Sequence, residues 1–254
     1  MRGSRIGAMT GGNATGRAVD RLWARLRHAL VRDVDGASLA VLRIAFGALL
    51  MWEAVRYWEH GWIGSKFLAP GFVFSYFGLD FIQPWPGSWM VLHFVLIGGV
   101  AGMIAIGLFT RPAAWAFVAL FGYVFLIDKA QYLNHFYMVL LFGAILGVVP
   151  SDRVWSVAAW WRQRRGRPGA GTVPGWALLL PRLQLEVILI YAGLVKLNWD
   201  WLDLRPLGDW LRSHDELPLL GPLFHYDAVV AVGAYGAIAL HLIGAPLLFS
   251  RRFR

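Results

Sequence analysis

Six long apolar stretches, near residues 38–57, 89–109, 112–127, 132–149, 176–197 and 228–249, constrain this chain more than any other feature. Most of them match the roughly 20 residues that a helix needs to cross the hydrocarbon of a bilayer. In lipid every backbone N–H and C=O must be satisfied within the protein, so such stretches form helices. The expected fold is all-α: a polytopic transmembrane helical bundle of about six spans, the third of them short. Composition agrees, with 58% of the 254 residues apolar and 15% charged. A soluble domain carries about a quarter charged residues to keep its surface wet. The absence of cysteine from the sequence excludes disulfides, thiolate metal sites and thiol redox chemistry.

The net charge of +9 would suit nucleic acid, but the placement of the positive residues points to a membrane. Residues 1–37, Arg111, 150–175 and 250–254 hold 16 of the 24 Lys and Arg, whereas the alternate segments hold only Lys66, Lys129, Arg205 and Arg212. This is the positive-inside pattern, and it puts both termini in the cytoplasm. No nucleic-acid partner is expected; the expected surroundings are membrane lipid. Residues 1–35 read as a basic tail, amphipathic from Val19 to Val31 and suited to a short helix on the membrane surface. No apolar core followed by a small-residue cleavage site marks a secretory signal. Residues 36–254 read as one membrane domain, with no internal repeat.

Between the first two stretches lies a loop rich in aromatics, from Trp58 and Trp62 through Phe67, Phe72 and Phe74 to Phe81 and Trp85. It suits an interfacial aromatic belt or a lid over a ligand. Within the spans, Arg43, Glu53, Arg56, Arg182 and Glu186 each need a reason to be there, since ionisable groups in a bilayer are costly. Arg182 and Glu186 stand four apart, as an ion pair would, and Arg56 is near enough to a span end to snorkel.

Lys196 ends the apolar run Val187–Leu197, just before Asn198, Trp199, Asp200 and Trp201. Those tryptophans should mark the outer interface, which sets the lysine Cα roughly 5–7 Å below it at 1.5 Å per residue. Only three of the cationic residues are lysines, Lys66, Lys129 and Lys196, against 21 arginines. A desolvated lysine can give up its proton and act as a general base, which arginine cannot. The alternative is a snorkelling lysine beside small residues that serve helix packing. Asn134 and His135 open the fourth stretch at the same depth and side. The imidazole can hydrogen-bond or shuttle protons, or it is simply a satisfied polar group. Nothing pairs with it at metal-ligand spacing, so no metal is expected. Phosphate loops, nucleophile elbows and metal-protease motifs are all lacking in the sequence.

These residues carry a family resemblance. Tyr123–Lys129 with Asn134-His135, and Ala192–Trp201, resemble stretches of the vitamin K-dependent γ-glutamyl carboxylase family. Gly107–Arg111 and Asp152–Val157 are weaker matches in the same order. The family's membrane region also occurs in bacterial horizontally transferred transmembrane (HTTM) domain proteins. The resemblance implies a lysine that deprotonates vitamin K hydroquinone or another reduced quinone. O2 then turns the quinol into a strong base, which prepares a glutamate of a protein or peptide acceptor to take up CO2. The quinone leaves as its epoxide. By the same resemblance Lys196 is the base, with His135 and Asn134 assisting, and the setting is a bacterial inner membrane with the site near its outer face. Where the family can show a Lys-Lys pair, this chain has Val195-Lys196. It also stops at Arg254, before the family's substrate-gripping domain, so the expectation is a fragment or a relative with another substrate. The rival expectations are a non-catalytic module that binds quinone, lipid or a partner protein, and a transporter kinked at Pro181.

Overall fold

A computed structural model describes residues 12–167, 169, 171–247 and 249. The first part of the basic tail and the basic segment 250–254 lie outside the described residues. The helices are α1 (Gly12–Val31), α2 (Ala37–Glu59), α3 (Ser88–Ile106), α4 (Thr110–Ile127), α5 (Asn134–Val148), α6 (Val157–Arg164), α7 (Gly175–Val195), α8 (Trp199–Leu202), α9 (Arg205–Arg212), α10 (Asp227–Ala239) and α11 (Ala245–Leu247). Two three-residue strands, β1 (Asp33–Asp35) and β2 (Thr172–Pro174), pair antiparallel with Val34 opposite Val173.

Among the described residues, five helical segments are long and apolar enough to cross a membrane: α2, α3, α4, α7 and the stretch Asp227–Leu247. That last stretch joins α10 to α11 through a π-turn, Leu240–Gly244. Of α2, α3 and α4, only 28–33% of the apolar window is buried within the protein. Side chains such as Leu92, Val95 and Leu96 are left facing outward, as a lipid-facing surface requires. The short member is the fourth stretch, not the third. At 15 residues α5 reaches about 22 Å, less than the hydrocarbon thickness of about 30 Å. The residues before it are spent on a 3₁₀ turn, Lys129–Gln131, and two extended positions.

The chain divides into two compact units, Met1–Leu180 and Pro181–Arg254. The division falls inside α7 at Pro181, which has no N–H to return to the preceding turn. In the first unit α2 packs on α3, α3 on α4 and α4 on α5. The α2–α3 contact depends on Gly47, where a Cβ would strike the backbone of Ala101 and Ala105. Small residues are what let two membrane helices approach this closely. Leu39, Leu50, Ile97, Ile104, Phe117 and Leu146 form the core. Before it, α1 carries Val19, Leu22, Trp23 and Leu26, all exposed, at the spacing of one helix face.

Arg43 is wholly buried on α2. Its guanidinium donates to the carbonyls of Ile104 (3.1 Å), Ala105 (3.0 Å) and Trp155 (2.6 Å). Those partners are the last-turn oxygens of α3 and a loop carbonyl, so an intramembrane charge is used up in closing a helix end. Gly107 follows at φ 72°, and a Cβ there would collide with that guanidinium. His93 also has a structural role, because its Nε2 donates to the Leu120 carbonyl at 2.9 Å and joins α3 to α4.

The expected Arg182–Glu186 pair does not form. Arg182 is exposed, and Glu186 Oε1 is buried with no hydrogen-bond partner. The order along the helix explains part of this, since an acid preceding a base by one turn pairs better than the reverse.

Candidate functional site

Asn134 and His135 are the first residues of α5, entered from Leu133 in extended backbone. What sets their position is Asp128, buried at the end of α4. Its Oδ1 accepts from the N–H groups of Ala130 (2.9 Å) and Phe74 (3.2 Å), and Lys129 N–H donates to the Phe74 carbonyl (2.9 Å). One carboxylate thus shapes the turn before His135 and ties it to the aromatic loop.

That loop is both belt and wall. Phe72, Phe77 and Phe81 point outward, while Ile63, Phe67 and Val73 fold in against Met90, Phe94 and Ile127. A five-residue π-turn, Gly64–Leu68, carries Lys66 inward. Tyr76 stacks on Phe125 at 6.2 Å with its hydroxyl buried and unpartnered. Burial, helped by Tyr132 and Asp128, pushes the Tyr76 phenol up from its ordinary value.

The inward-facing residues of α2, the loop, α4 and α5 enclose a cavity of about 490 Å³. Phe94, Phe117, Phe121, Val124, Phe125 and Phe136 supply apolar wall, and Glu53, Arg56, Lys66, Gln131 and His135 supply the polar groups. Glu53 and Arg56 are ion-paired at 2.5 Å, and both are about one third exposed. The Lys66 amine lies 5.0 Å from the Trp62 ring centroid and 5.7 Å from that of Tyr57, in reach of a cation–π attraction. His135 is exposed at the cavity rim, its ring edge-on to Phe136 at 5.4 Å. Asn134, also exposed, is not among the lining residues. A largely apolar cavity of this size with a few convergent polar groups is the form of a small-molecule site.

Lys196 belongs to the second unit, whereas Asn134 and His135 belong to the first. It follows the last residue of α7 and is half-buried. Its Nζ donates to the Ala192 carbonyl at 3.0 Å and sits 5.1 Å from the Trp201 ring centroid. Asn198 holds that tryptophan's helix in place: its Oδ1 accepts from Trp201 N–H (3.0 Å) and its Nδ2 donates to the Val195 carbonyl (2.7 Å). Next to the lysine, a Cβ on Gly193 would collide with Leu242 and crowd His241. The small residue therefore serves packing, as one reading of the sequence had it.

Sequence reasoning found His135 but missed Lys66, Gln131 and the Glu53–Arg56 pair as parts of one cavity. Two signals were present: the spacing of Glu53 and Arg56 by three, and the rarity of lysine in an arginine-rich chain. Among the described residues, no three His, Asp or Glu gather to hold a metal.

The HTTM domain family model matches residues 31–254. The chain belongs to that family, whose domain is the one found in members of the vitamin K-dependent carboxylase family. No solved structure matches it.

Proposed function

We propose that this HTTM domain protein binds a reduced lipophilic quinone of the vitamin K hydroquinone type in the cavity beside His135 and oxidises it with O2. The observation that carries this reading is the cavity itself: aromatic walls for a flat ring, with polar groups gathered among them. When bound, the quinol would supply two protons and four electrons, two from oxidation of its hydroquinone and two from the ring C=C that becomes the epoxide, so that one oxygen atom of O2 leaves as water and the other becomes the epoxide oxygen. The phenylalanines of α4 and α5 hold the ring and exclude water. In this reading His135 and Gln131 hydrogen-bond a quinol oxygen, and the Glu53–Arg56 pair keeps two charges from standing alone in an apolar space. The resemblance gives Asn134, next to His135, an assisting role. Lys196 keeps the role of base that the resemblance gives it. A neutral amine can still donate one N–H to Ala192 and present its lone pair to a proton. Coupling to CO2 and a glutamate of a protein or peptide acceptor is the further step that the family suggests.

A second reading has its own support. The Lys196 amine already has a carbonyl and a ring face as partners, which is how a snorkelling lysine is satisfied. On this reading the protein is a non-catalytic quinone- or lipid-binding module. One experiment separates the two. Epoxide formation from vitamin K hydroquinone and O2 is measured for the purified chain and for Lys196→Ala, Lys196→Arg, Lys66→Ala and His135→Ala. Quinone binding is followed in parallel by tryptophan quenching. Enzyme chemistry predicts a loss of about 10²–10⁴-fold in Lys196→Ala, no rescue by arginine, and retained binding. Equal epoxide in Lys196→Ala and wild type removes the base assignment; a loss in Lys66→Ala alone moves it to Lys66. Saturable binding without any epoxide establishes the module instead.

A further inference from the structure

The two weaker family-like segments, Gly107–Arg111 and Asp152–Val157, have no part in the quinone reading, yet the first unit brings them together. Ala158 N–H donates to the Gly107 carbonyl (3.3 Å), and a Cβ on Gly107 would strike the Ser156 side chain. Beside this contact lies a cavity of about 480 Å³ at the start of α4. It is lined by Phe109, Thr110, Arg111, Asp152, Arg153 and Arg162, among others. From here α4 runs about 27 Å at 1.5 Å per residue toward the His135 cavity, so the two sites occupy opposite ends of one helix.

The polar groups divide by whether their partners are already taken. Arg162 is engaged with Asp152, through its side chain (3.4 Å) and its backbone carbonyl (2.7 Å). Arg153 donates to the Thr172 carbonyl (3.0 Å). Arg111 is exposed and has no partner among the described residues. Thr110 is 2% exposed, lines the cavity, and its Oγ1 has no hydrogen-bond partner. The first turn of α4 adds the N–H groups of Thr110 and Arg111 and the positive end of the helix dipole, whereas Pro112 has no N–H and Ala113 N–H donates to the Phe109 carbonyl. Three arginines against one aspartate leave the cavity positive. A merely solvated basic face would not bury a hydroxyl without a partner. What this arrangement lacks is an acceptor-rich anion.

We infer that this cavity is a binding site for a phosphate oxyanion, carried by an anionic phospholipid headgroup or by free phosphate. Arg111 pairs with the phosphate as a fork of donors, Thr110 Oγ1 and the amides of Thr110 and Arg111 donate to its oxygens, and Arg153 and Arg162 set the field. Phe109, 60% exposed on the cavity lining, marks headgroup depth. Basic pockets between membrane helices bind such headgroups elsewhere.

The test uses the full chain in nanodiscs of phosphatidylcholine alone or with phosphatidylglycerol, with retained lipid counted by native mass spectrometry. In a second arm, inorganic phosphate is titrated into the protein in detergent by calorimetry. Arg111→Gln and Thr110→Val are each compared with Arg165→Gln, which lies off the cavity lining. Arg111→Gln should weaken binding about tenfold or more. Thr110→Val should also weaken it while leaving the thermal midpoint unchanged or raised, since it removes an unpartnered buried hydroxyl. Retention of phosphatidylglycerol that depends on these residues identifies a lipid site; saturable phosphate binding with the same dependence identifies a free-ion site. The inference is overturned if neither ligand distinguishes wild type from Arg111→Gln, or if Arg165→Gln lowers binding as much.

Discussion

Replacing Arg43 by methionine would remove a charge from the interior of a membrane helix, a change that hydropathy alone predicts to be favourable. The structure predicts the opposite. Arg43 donates to three carbonyls, of Ile104, Ala105 and Trp155. Ile104 O also accepts from Gly107 N–H and keeps one partner in the variant; Ala105 and Trp155 lose theirs. Both hydrogen bonds are part-buried, so the two unsatisfied carbonyls cost at most about 1–3 kcal/mol each, or about 2–6 kcal/mol together as an upper bound. Relief of the guanidinium's own desolvation offsets part of that, and the net expectation is destabilisation of about 2–4 kcal/mol. Arg43→Lys should fall between, because an ammonium cannot match the guanidinium's fixed fork. The assay is unfolding of the purified protein from mild detergent into dodecyl sulfate, followed by tryptophan fluorescence, with limited proteolysis of the 150–165 segment as a local readout. That segment should become cleavable first, since Trp155 is tethered to α2 only through Arg43 among the hydrogen bonds described. Stability of Arg43→Met within about 0.5 kcal/mol of wild type, the range of a neutral surface change, would refute the capping argument.

Two other perturbations follow from close contacts. Gly47→Leu should separate α2 from α3, because any Cβ there meets the Ala101–Ala105 backbone; the expected result is loss of folded, monodisperse protein on gel filtration, with Ala48→Leu, exposed on the same helix, tolerated. Asp128→Asn keeps the shape but offers a weaker acceptor to the Phe74 and Ala130 N–H groups, at a cost of about 1–2 kcal/mol. Hydrogen exchange should then rise at residues 72–76 and 129–136 while the α2–α3 contact stays protected, and uniform protection would show that the carboxylate does not organise the rim.

The spans were legible because each is a local property: about 20 apolar residues in a row must become a helix wherever they sit in a bilayer. The cavity was not, because its polar groups come from four elements, and no window of sequence contains Glu53, Lys66 and His135 together. Lys66 read as a loop lysine outside the spans, since nothing in its neighbours announces the π-turn that carries it inward. Which stretch is the short one was misjudged for a related reason. Asp128 ends α4 and accepts from Phe74 N–H, 54 residues earlier, and a contact at that range has no trace in the apolar pattern. The spacing of Arg182 and Glu186 allowed a pair without requiring one. The two weaker family-like segments were visible as strings, and only the fold reveals that both border one basic cavity.

Charges within the apolar segments sort by what satisfies them, and this sorting separates architecture from function. Arg43 gives both terminal guanidinium nitrogens to backbone carbonyls, and the one donor left over, Nε, is buried in the core. Glu53 and Arg56 satisfy each other, yet both remain on a cavity wall, and the arginine also lies over the Trp52 and Trp62 rings. Among the described residues, Lys66, just beyond α2, meets only ring faces. Ring faces attract a cation weakly compared with a carboxylate, so Lys66 is the cation on this cavity wall whose interactions a ligand could most readily improve. An intramembrane charge that is costly to insert and incompletely satisfied in place is retained at a loss of stability. Within the first unit the losses concentrate around the His135 cavity, and there the chain has also gathered its aromatic wall.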